Sequence, residues 1–197
     1  MQGNWEVEQK FNVADVQGLR LKLAACGFVR HSTERNSDVY FRHPCRDLKA
    51  TDEAFRLRTL DHTSCVTYKG KRLASKVKSR PEIELSIEHD EREQWLQMLQ
   101  QLGFTPLPAV VKARETYAVA ANSGLSLASA IASSGLHVTI DEVEQLGSYA
   151  EIELVVAQPT LLEQAGVEIQ RIAELLGLTG VEPRSYLSML LARLEIE

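Results

Sequence analysis

Hydrophobic and polar residues alternate with a period of two near the start of the chain. Trp5, Val7 and Phe11 fall on one face of residues 5–11, and charged side chains fall on the other. This period is typical of a β-strand that buries one face. The same reasoning predicts strands over residues 28–34, 37–42, 53–60, 64–69, 81–88, 109–120, 137–143 and 149–156.

Other segments repeat apolar residues at the spacing of a helix. The predicted helices cover residues 13–26, 90–102, 160–176 and 185–194. In the second of them, Trp95, Leu99 and Leu102 share one side. Asp90 is placed to cap its first turn, and Gly103 is placed to end it.

The order of these elements predicts the fold class. A strand and a helix are followed by several strands and a helix, and then by several strands and two helices. This order favours an α+β fold with an antiparallel sheet, in which two similar halves close one barrel. We expect a single domain over residues 1–197, with a hairpin turn at 61–63. The segments that come nearest to a domain boundary are the basic loop 70–80 and the small-residue stretch 121–135.

Composition limits the binding partners and the cellular compartment that we expect for this chain. The 197 residues are 44% hydrophobic and 25% charged, with a net charge of −5. We therefore expect no nucleic-acid partner and no anionic membrane surface. No apolar stretch approaches the ~20 residues of a membrane helix, and residues 1–6 lack the pattern of a signal peptide. The cysteines Cys26, Cys45 and Cys65 lack metal-binding spacing, which favours reduced thiols in a cytoplasmic protein.

The polar faces of the predicted strands repeat one rule. Charged or hydrogen-bonding side chains are paired at positions i and i+2, which places each pair on one side of a strand, roughly 6–7 Å apart. The seven sets are Glu6, Glu8 and Lys10; Arg56 and Arg58; Thr67 and Lys69; Glu82 and Glu84; Lys112 and Arg114; Thr139 and Asp141; and Glu151 and Glu153.

Two interpretations of these paired charges differ in which face meets water. On a solvated outer face the repulsion between like charges is small and screened. Turned inward in a barrel, the same residues put seven carboxylates and six cations in a wet lumen. Such a lumen needs a guest of both signs, and a triphosphate with bound metal fits that requirement.

The residues that carry these charges resemble a known family. Glu6-Val7-Glu8-Gln9-Lys10 is similar to the ExExK signature of the CYTH superfamily, named for class IV adenylyl cyclases and thiamine triphosphatases. Further similar segments follow in the family's order and favour its class IV adenylyl cyclase-like branch. They are 38–47, Thr51-Asp52-Glu53-Ala54-Phe55-Arg56-Leu57-Arg58, Thr67-Tyr68-Lys69-Gly70, 80–84, Val111-Lys112-Ala113-Arg114 with Tyr117, 138–143, 146–153 and Glu182-Pro183-Arg184-Ser185-Tyr186.

The resemblance implies an eight-stranded antiparallel β-barrel, the triphosphate tunnel, with flanking helices. It also implies a requirement for Mg²⁺ or Mn²⁺ and a small-molecule triphosphate substrate such as ATP, thiamine triphosphate or tripolyphosphate. The oligomeric state stays open, with a homodimer as one option.

The resemblance also assigns roles to positions of this chain. The implied metal ligands are Glu6, Glu8, Asp141, Glu151 and Glu153. The implied triphosphate-binding cations, called the phosphate clamp below, are Lys10, Arg56, Arg58, Lys69, Lys112 and Arg114. The candidates for a direct catalytic part are Lys10, Tyr40 and Lys69. Glu82 and Glu84 are expected to orient the cations or to add metal ligands.

Several functions remain open at this point. A class IV adenylyl cyclase would attack the α-phosphorus of ATP with the ribose 3′-hydroxyl, whereas a triphosphatase would attack the terminal phosphorus with water. A barrel that only binds polyphosphate or nucleotide, and a barrel whose charges form structural ion pairs, are the non-enzymatic alternatives. Simpler roles for Tyr40 and Lys10 are a tyrosine at the barrel rim and an internal ion pair.

Overall fold

A computed structural model describes residues 5–61, 63–71, 81–120, 123, 125 and 135–196. The strands are β1 (Trp5–Asn12), β2 (Phe28–Arg42), β3 (Ala54–Leu60), β4 (Thr63–Lys69), β5 (Glu82–Ile87), β6 (Thr105–Pro106), β7 (Val110–Val119), β8 (Leu136–Val143) and β9 (Gly147–Val156). The α-helices are α1 (Val16–Ala25), α2 (Arg92–Gln101), α3 (Leu162–Leu176) and α4 (Tyr186–Arg193).

The sheet is antiparallel and runs in the order β1-β9-β8-β7-β2-β3-β4-β5, with the two-residue β6 beside β2. Its eight long strands curl into a half-barrel with the four helices around it, which confirms the predicted α+β class and the eight-stranded antiparallel sheet. β1 and β5 lie at the two ends of this strand order. No helix among the described residues is long and apolar enough to cross a membrane.

The backbone of residues 180–182 runs along the outer edge of β1. The Asn12 N–H donates to the Gly180 carbonyl at 3.2 Å, and the Glu182 N–H donates to the Lys10 carbonyl at 2.9 Å. Phe11 and Val181 form an antiparallel bridge between these two bonds. This segment therefore satisfies backbone groups that an edge strand would otherwise leave open.

Some predicted boundaries differ from the structure. The segments 28–34 and 37–42 form one strand of 15 residues, because β7 and β3 pair with overlapping parts of β2 and support it throughout. The prediction that Asp90 caps the second helix is wrong. Asp90 lies in a short 3₁₀ turn, His89–Glu91, and no side chain caps α2. Asp15 does cap α1, accepting a hydrogen bond from the Gly18 N–H at 2.8 Å.

The predicted loops are only partly described. The pairing of Leu60 with Thr63 confirms the hairpin at 61–63, although residue 62 itself lies outside the described part. Within the basic loop 70–80 the structure describes residues 70 and 71. Within the stretch 121–135 it describes residues 123, 125 and 135.

The apolar faces of most strands turn outward and are covered by helices, whereas Ile83 and Leu85 on β5 stay exposed. α1 and α3 cover β1, β8 and β9, where Val7, Ile152 and Leu154 are fully buried against Ile169 and Ile172. α2 covers a smaller cluster on β2, β3 and β4. Because side chains alternate across a strand, packing the apolar face outward turns the charged face of each strand to the concave side.

Candidate active site

The strand register places residues of opposite charge beside one another on the concave face. Lys10 lies opposite Glu151 on the β1·β9 pair, and Arg114 lies opposite Asp141 on the β7·β8 pair. Directly opposed residues of antiparallel strands point to the same face, so these pairs share the interior of the half-barrel. A cavity of about 1140 Å³ occupies this interior. All the sequence-predicted site residues except Asp141 contribute to its wall.

Three carboxylates form a compact group at one side of the cavity. One oxygen from each of Glu6, Glu8 and Glu153 lies within 4.8 Å of the others. We call this group the acidic triad. Clustered carboxylate oxygens are the donors that hard divalent cations such as Mg²⁺ and Mn²⁺ prefer, so the donor set fits the metal that the sequence resemblance implies.

The acidic triad is electrostatically unfavourable when all three groups are charged. Burial raises the pKa of Glu153 to about 8; Arg114 opposes the shift, while Glu151, Glu6 and Glu8 add to it. The pKa of Glu6 is also raised, first by burial and then by Glu8, against the attraction of Lys69. A divalent cation would remove this repulsion and favour the ionised forms.

The arginines of the phosphate clamp are held by buried aspartates. Arg58 donates two hydrogen bonds to Asp38, at 2.6 and 2.7 Å, and Arg56 approaches the same carboxylate at 3.4 Å. Arg114 donates two hydrogen bonds of 2.6 Å to Asp141. Such two-point contacts fix the plane of a guanidinium and turn its other N–H groups toward the cavity. On Arg114 these groups also meet Glu151 and, at 3.7 Å, Glu153.

Asp141 and Glu151, two of the expected metal ligands, contact cations in this structure. Asp141 is fully buried and accepts hydrogen bonds from Lys112 at 3.2 Å and from Arg114. Glu151 contacts Arg114, and Lys10 approaches it at 3.4 Å. Burial alone would raise the pKa of Glu151, but Arg114, Lys112 and Lys10 outweigh it and lower the pKa. The acidic triad therefore contains Glu6, Glu8 and Glu153 without these two residues.

The candidates for a direct catalytic part all lie on the cavity wall. The Lys10 Nζ donates to the Arg184 carbonyl at 3.0 Å and lies 3.8 Å from the centre of the Tyr186 ring. The Lys69 Nζ donates to Glu82 at 2.7 Å. Tyr40 is half-buried and lies opposite Arg56 in the β2·β3 register.

Glu82 and Glu84 contact the basic residues, in line with the orienting role expected for them. Glu82 pairs with Lys69, and Glu84 accepts a hydrogen bond from the Thr67 hydroxyl at 2.9 Å. Both carboxylates approach Arg56 at 3.8 Å. The negative charge of β5 therefore faces the β3 side of the clamp.

Two residues of the site carried no role in the sequence interpretation. Asp38 is 2% exposed; burial alone would raise its pKa, but the hydrogen bonds and charges of Arg58 and Arg56 lower it to about 2. Asp38 lies two residues before Tyr40 and therefore on the same strand face, and this spacing could have identified it from the sequence. Tyr186 is uncharged, so only its place in the C-terminal segment 182–186 could have drawn attention to it.

One end of the cavity, called the apolar end below, carries apolar side chains alongside polar ones such as Arg46 and Asp47. The apolar side chains are Leu48, Phe55, Leu107, Leu187, Leu191 and Ile196. The loop before β3 is held at this end by Glu53, which accepts a hydrogen bond from the Thr51 hydroxyl at 2.5 Å and also contacts Arg46 and Tyr68. An organic group can therefore pack at this end while phosphates reach the clamp.

The fold and the site define a class of protein: a curled antiparallel sheet whose concave face offers carboxylates for a metal and guanidinium groups for an anion. The family model described as CYTH domain matches residues 4–186. The chain belongs to the CYTH family.

The chain also resembles proteins along nearly its whole length. It is 30% identical over 186 residues to a Methanocaldococcus jannaschii protein whose name proposes an adenylate cyclase, covering 93% of this chain and 97% of that one. It is 26% identical over 190 residues to Adenylate cyclase CyaB of Aeromonas hydrophila, covering 94% and 88%. The solved PH1819 protein of Pyrococcus horikoshii is 35% identical, with a TM-score of 0.78 and coverage of 95% and 99%.

The raised pKa values in the acidic triad predict that metal binding releases protons. Glu153, with a pKa of about 8, carries a proton at neutral pH in the metal-free protein, and the metal must displace it. The apparent affinity for Mn²⁺ should rise as the pH increases toward 8 and level off above it. Calorimetry in buffers of different ionisation enthalpy measures the proton release. Glu153→Gln should weaken binding and flatten the pH profile; a flat profile in the unmodified protein contradicts the assignment.

The Asp38–Arg58 pair predicts a stability effect. Arg58→Met leaves the buried Asp38 carboxylate with Arg56 alone, and breaking a buried ion pair typically costs about 3–5 kcal/mol. We expect a loss toward the lower end of this range in urea unfolding. The double variant Asp38→Asn/Arg58→Met should lose less than the sum of the single changes. A single-variant effect within about 0.5 kcal/mol would place the pair in the class of weak surface contacts.

Proposed function

We propose that this protein is a metal-dependent enzyme that acts on an organic triphosphate, as a class IV adenylyl cyclase-like enzyme that converts ATP to cyclic AMP and pyrophosphate. The observation that carries the proposal is the shared cavity. The acidic triad and the phosphate clamp lie on the wall of one cavity of about 1140 Å³. A metal–triphosphate complex carries both signs of charge and therefore matches both groups.

The chemistry asks the protein to position groups and to neutralise charge. In the proposed reaction the ribose 3′-hydroxyl oxygen forms a bond to the α-phosphorus and loses its proton to water. The bond from that phosphorus to the bridging oxygen breaks, and pyrophosphate leaves. A divalent metal, when bound by the acidic triad, supplies Lewis acidity to phosphate oxygens. Arg58 and Arg114 bind phosphate oxygens, with Asp38 and Asp141 fixing the planes of their guanidinium groups.

The organic part of the substrate is proposed to lie at the apolar end of the cavity. Leu48 and Phe55 come from the β3 side of this end, and Leu187 and Leu191 come from α4. A base or another flat organic group buries apolar area there, whereas inorganic tripolyphosphate gains nothing from these side chains. The near full-length similarity to proteins named for adenylate cyclase activity supports ATP as the substrate.

Hydrolysis of a triphosphate is the second candidate function. Tyr40 and Lys69, which the family resemblance connects with water activation, both line the cavity. The Lys69 Nζ contacts Glu82 at 2.7 Å, so its ammonium is held in place on the cavity wall. The same clamp serves both reactions, because they differ in which phosphorus lies in line with the attacking oxygen.

Product analysis tests the proposal. ATP, thiamine triphosphate and inorganic tripolyphosphate are each incubated with the protein and with Mg²⁺ or Mn²⁺. Cyclic AMP with an equal amount of pyrophosphate is the expected result, whereas orthophosphate from any of the three indicates a triphosphatase. No metal-dependent product from any of them contradicts enzymatic action on triphosphates.

Matched carboxylate variants test the site itself. Glu8→Gln removes one ligand of the proposed metal, and turnover should fall by at least about a hundredfold while the melting temperature stays close to that of the unmodified protein. Glu142→Gln is the control, since this carboxylate is 60% exposed and points away from the cavity on β8. Equal activity of the two variants would remove Glu8 from the site.

A further inference from the structure

Tyr186 lies inside the cavity, at the place where α4 meets the concave face of the sheet. Only 8% of this residue is exposed. The Lys10 Nζ lies 3.8 Å from the centre of its ring, and the Lys112 Nζ lies 5.2 Å from it. Its hydroxyl donates a hydrogen bond of 2.9 Å to Asp141. One uncharged side chain therefore contacts two cations of the phosphate clamp and the carboxylate between them.

The packing around Tyr186 fixes the plane of its ring. It is the first residue of α4, and Ser185 caps this helix by accepting a hydrogen bond from the Ser188 N–H at 3.1 Å. The Tyr149 ring packs edge-on against it, with centroids 5.3 Å apart, and Met189 belongs to the same buried cluster. The ring orientation is thus set by α4 and β9 rather than by the lysines.

The Tyr186 ring attracts the two lysine ammonium groups without adding negative charge, which a carboxylate cannot do. The face of an aromatic ring attracts an ammonium, most strongly when both are shielded from water, and it carries no net charge. Lys10 and Lys112 are 4% and 3% exposed, and ordering their long side chains costs conformational entropy that a favourable contact must offset. A further carboxylate would also hold them, but it would repel an anionic guest. The ring holds the ammonium groups while their charge stays available.

The geometry points to Tyr186 as a positioning residue that holds Lys10 and Lys112 in place for an anion and makes anion binding depend on the docking of α4. This inference rests on the proposed function in one respect, namely that the anion is a metal-bound triphosphate. The contact of Lys10 with the Arg184 carbonyl, at 3.0 Å, ties the same ammonium to the segment that leads into α4. α4 and the segment before it thus contact the clamp through a side chain and a backbone oxygen.

Three substitutions separate the ring from the hydroxyl. Tyr186→Phe keeps the ring and removes the bond to Asp141, whereas Tyr186→Leu removes both. Tyr186→Met is a second ring-free variant, flexible enough to fill the space if the leucine variant does not fold. Tyr149→Phe is the matched control, because Tyr149 belongs to the same cluster and its hydroxyl bonds only to the Leu146 carbonyl at 3.3 Å among the described contacts.

The first measurement needs no ligand. Protons above an aromatic ring face move upfield in NMR spectra, so the ε-methylene signals of Lys10 should be shifted in protein labelled with ¹³C-lysine. We expect the shifted signals in the unmodified protein, in Tyr186→Phe and in Tyr149→Phe, and their loss in Tyr186→Leu and Tyr186→Met. Unshifted lysine signals in the unmodified protein, or shifted signals that persist in both ring-free variants, would overturn the inference.

The second measurement is the affinity for inorganic tripolyphosphate with Mg²⁺, by calorimetry. Losing one or two shielded cation–ring contacts should weaken binding by about three- to thirtyfold in Tyr186→Leu and Tyr186→Met. Tyr186→Phe and Tyr149→Phe should stay within about threefold of the unmodified protein by the same reasoning. Unchanged affinity in the ring-free variants, or an equal loss in Tyr186→Phe, contradicts a role for the ring.

The two measurements keep the inference separate from the proposed function. If the unmodified protein binds no triphosphate, the proposed function fails, and the lysine signals still decide whether the ring holds the ammonium groups. If triphosphate binds and the ring-free variants bind it equally well, the inference fails and the proposed function stands.

Discussion

The concentration of charge on the concave face is the constraint on which the rest of the structure depends. Buried charges are tolerated only where each has a partner or a guest, because removing an ion from water costs several kcal/mol. Part of the cost is met by pairing, since Asp38 contacts Arg56 and Arg58 and Asp141 contacts Arg114. Glu6, Glu8 and Glu153 instead lie together, and burial raises the pKa of Glu6 and of Glu153. The acidic triad therefore suits a metal and the aspartate-held arginines suit phosphate, and the two groups meet where Arg114 lies 3.7 Å from Glu153.

The outer layers of the fold serve this arrangement. α1 and α3 bury the apolar faces of β1, β8 and β9, and that burial supplies the favourable free energy that offsets a polar interior. The 15-residue β2 pairs with β7 and with β3, so it connects the two aspartate-held halves of the clamp in one register. On the concave side, α4 closes one end and brings Tyr186 between two lysines. The main apolar core therefore lies on the convex side of the sheet, and the proposed active site lies on the concave side.

Much of this organisation could be predicted from the period of the sequence. Pairs at i and i+2 identified the charged faces because side chains alternate strictly along a strand, and the succession of elements indicated an α+β class with an antiparallel sheet. The surroundings of each charged residue within the cavity could not be predicted from this period. Glu151 and Glu153 share a face and a spacing, yet Arg114, Lys112 and Lys10 lower the pKa of Glu151, whereas burial raises that of Glu153. Only the neighbouring strands decide that difference. The position of Tyr186 depends likewise on how α4 packs, which no local pattern encodes.

The central claim is that a divalent metal and a triphosphate occupy this cavity together, the metal at the acidic triad and the triphosphate at the clamp. The most direct measurement is a crystal structure of the protein with Mn²⁺ and inorganic tripolyphosphate, with anomalous scattering used to locate the metal. The account predicts a manganese peak within coordination distance of Glu6, Glu8 and Glu153, and phosphate oxygens at Arg58 and Arg114. A manganese peak at Asp141, or tripolyphosphate bound outside the cavity, would contradict it.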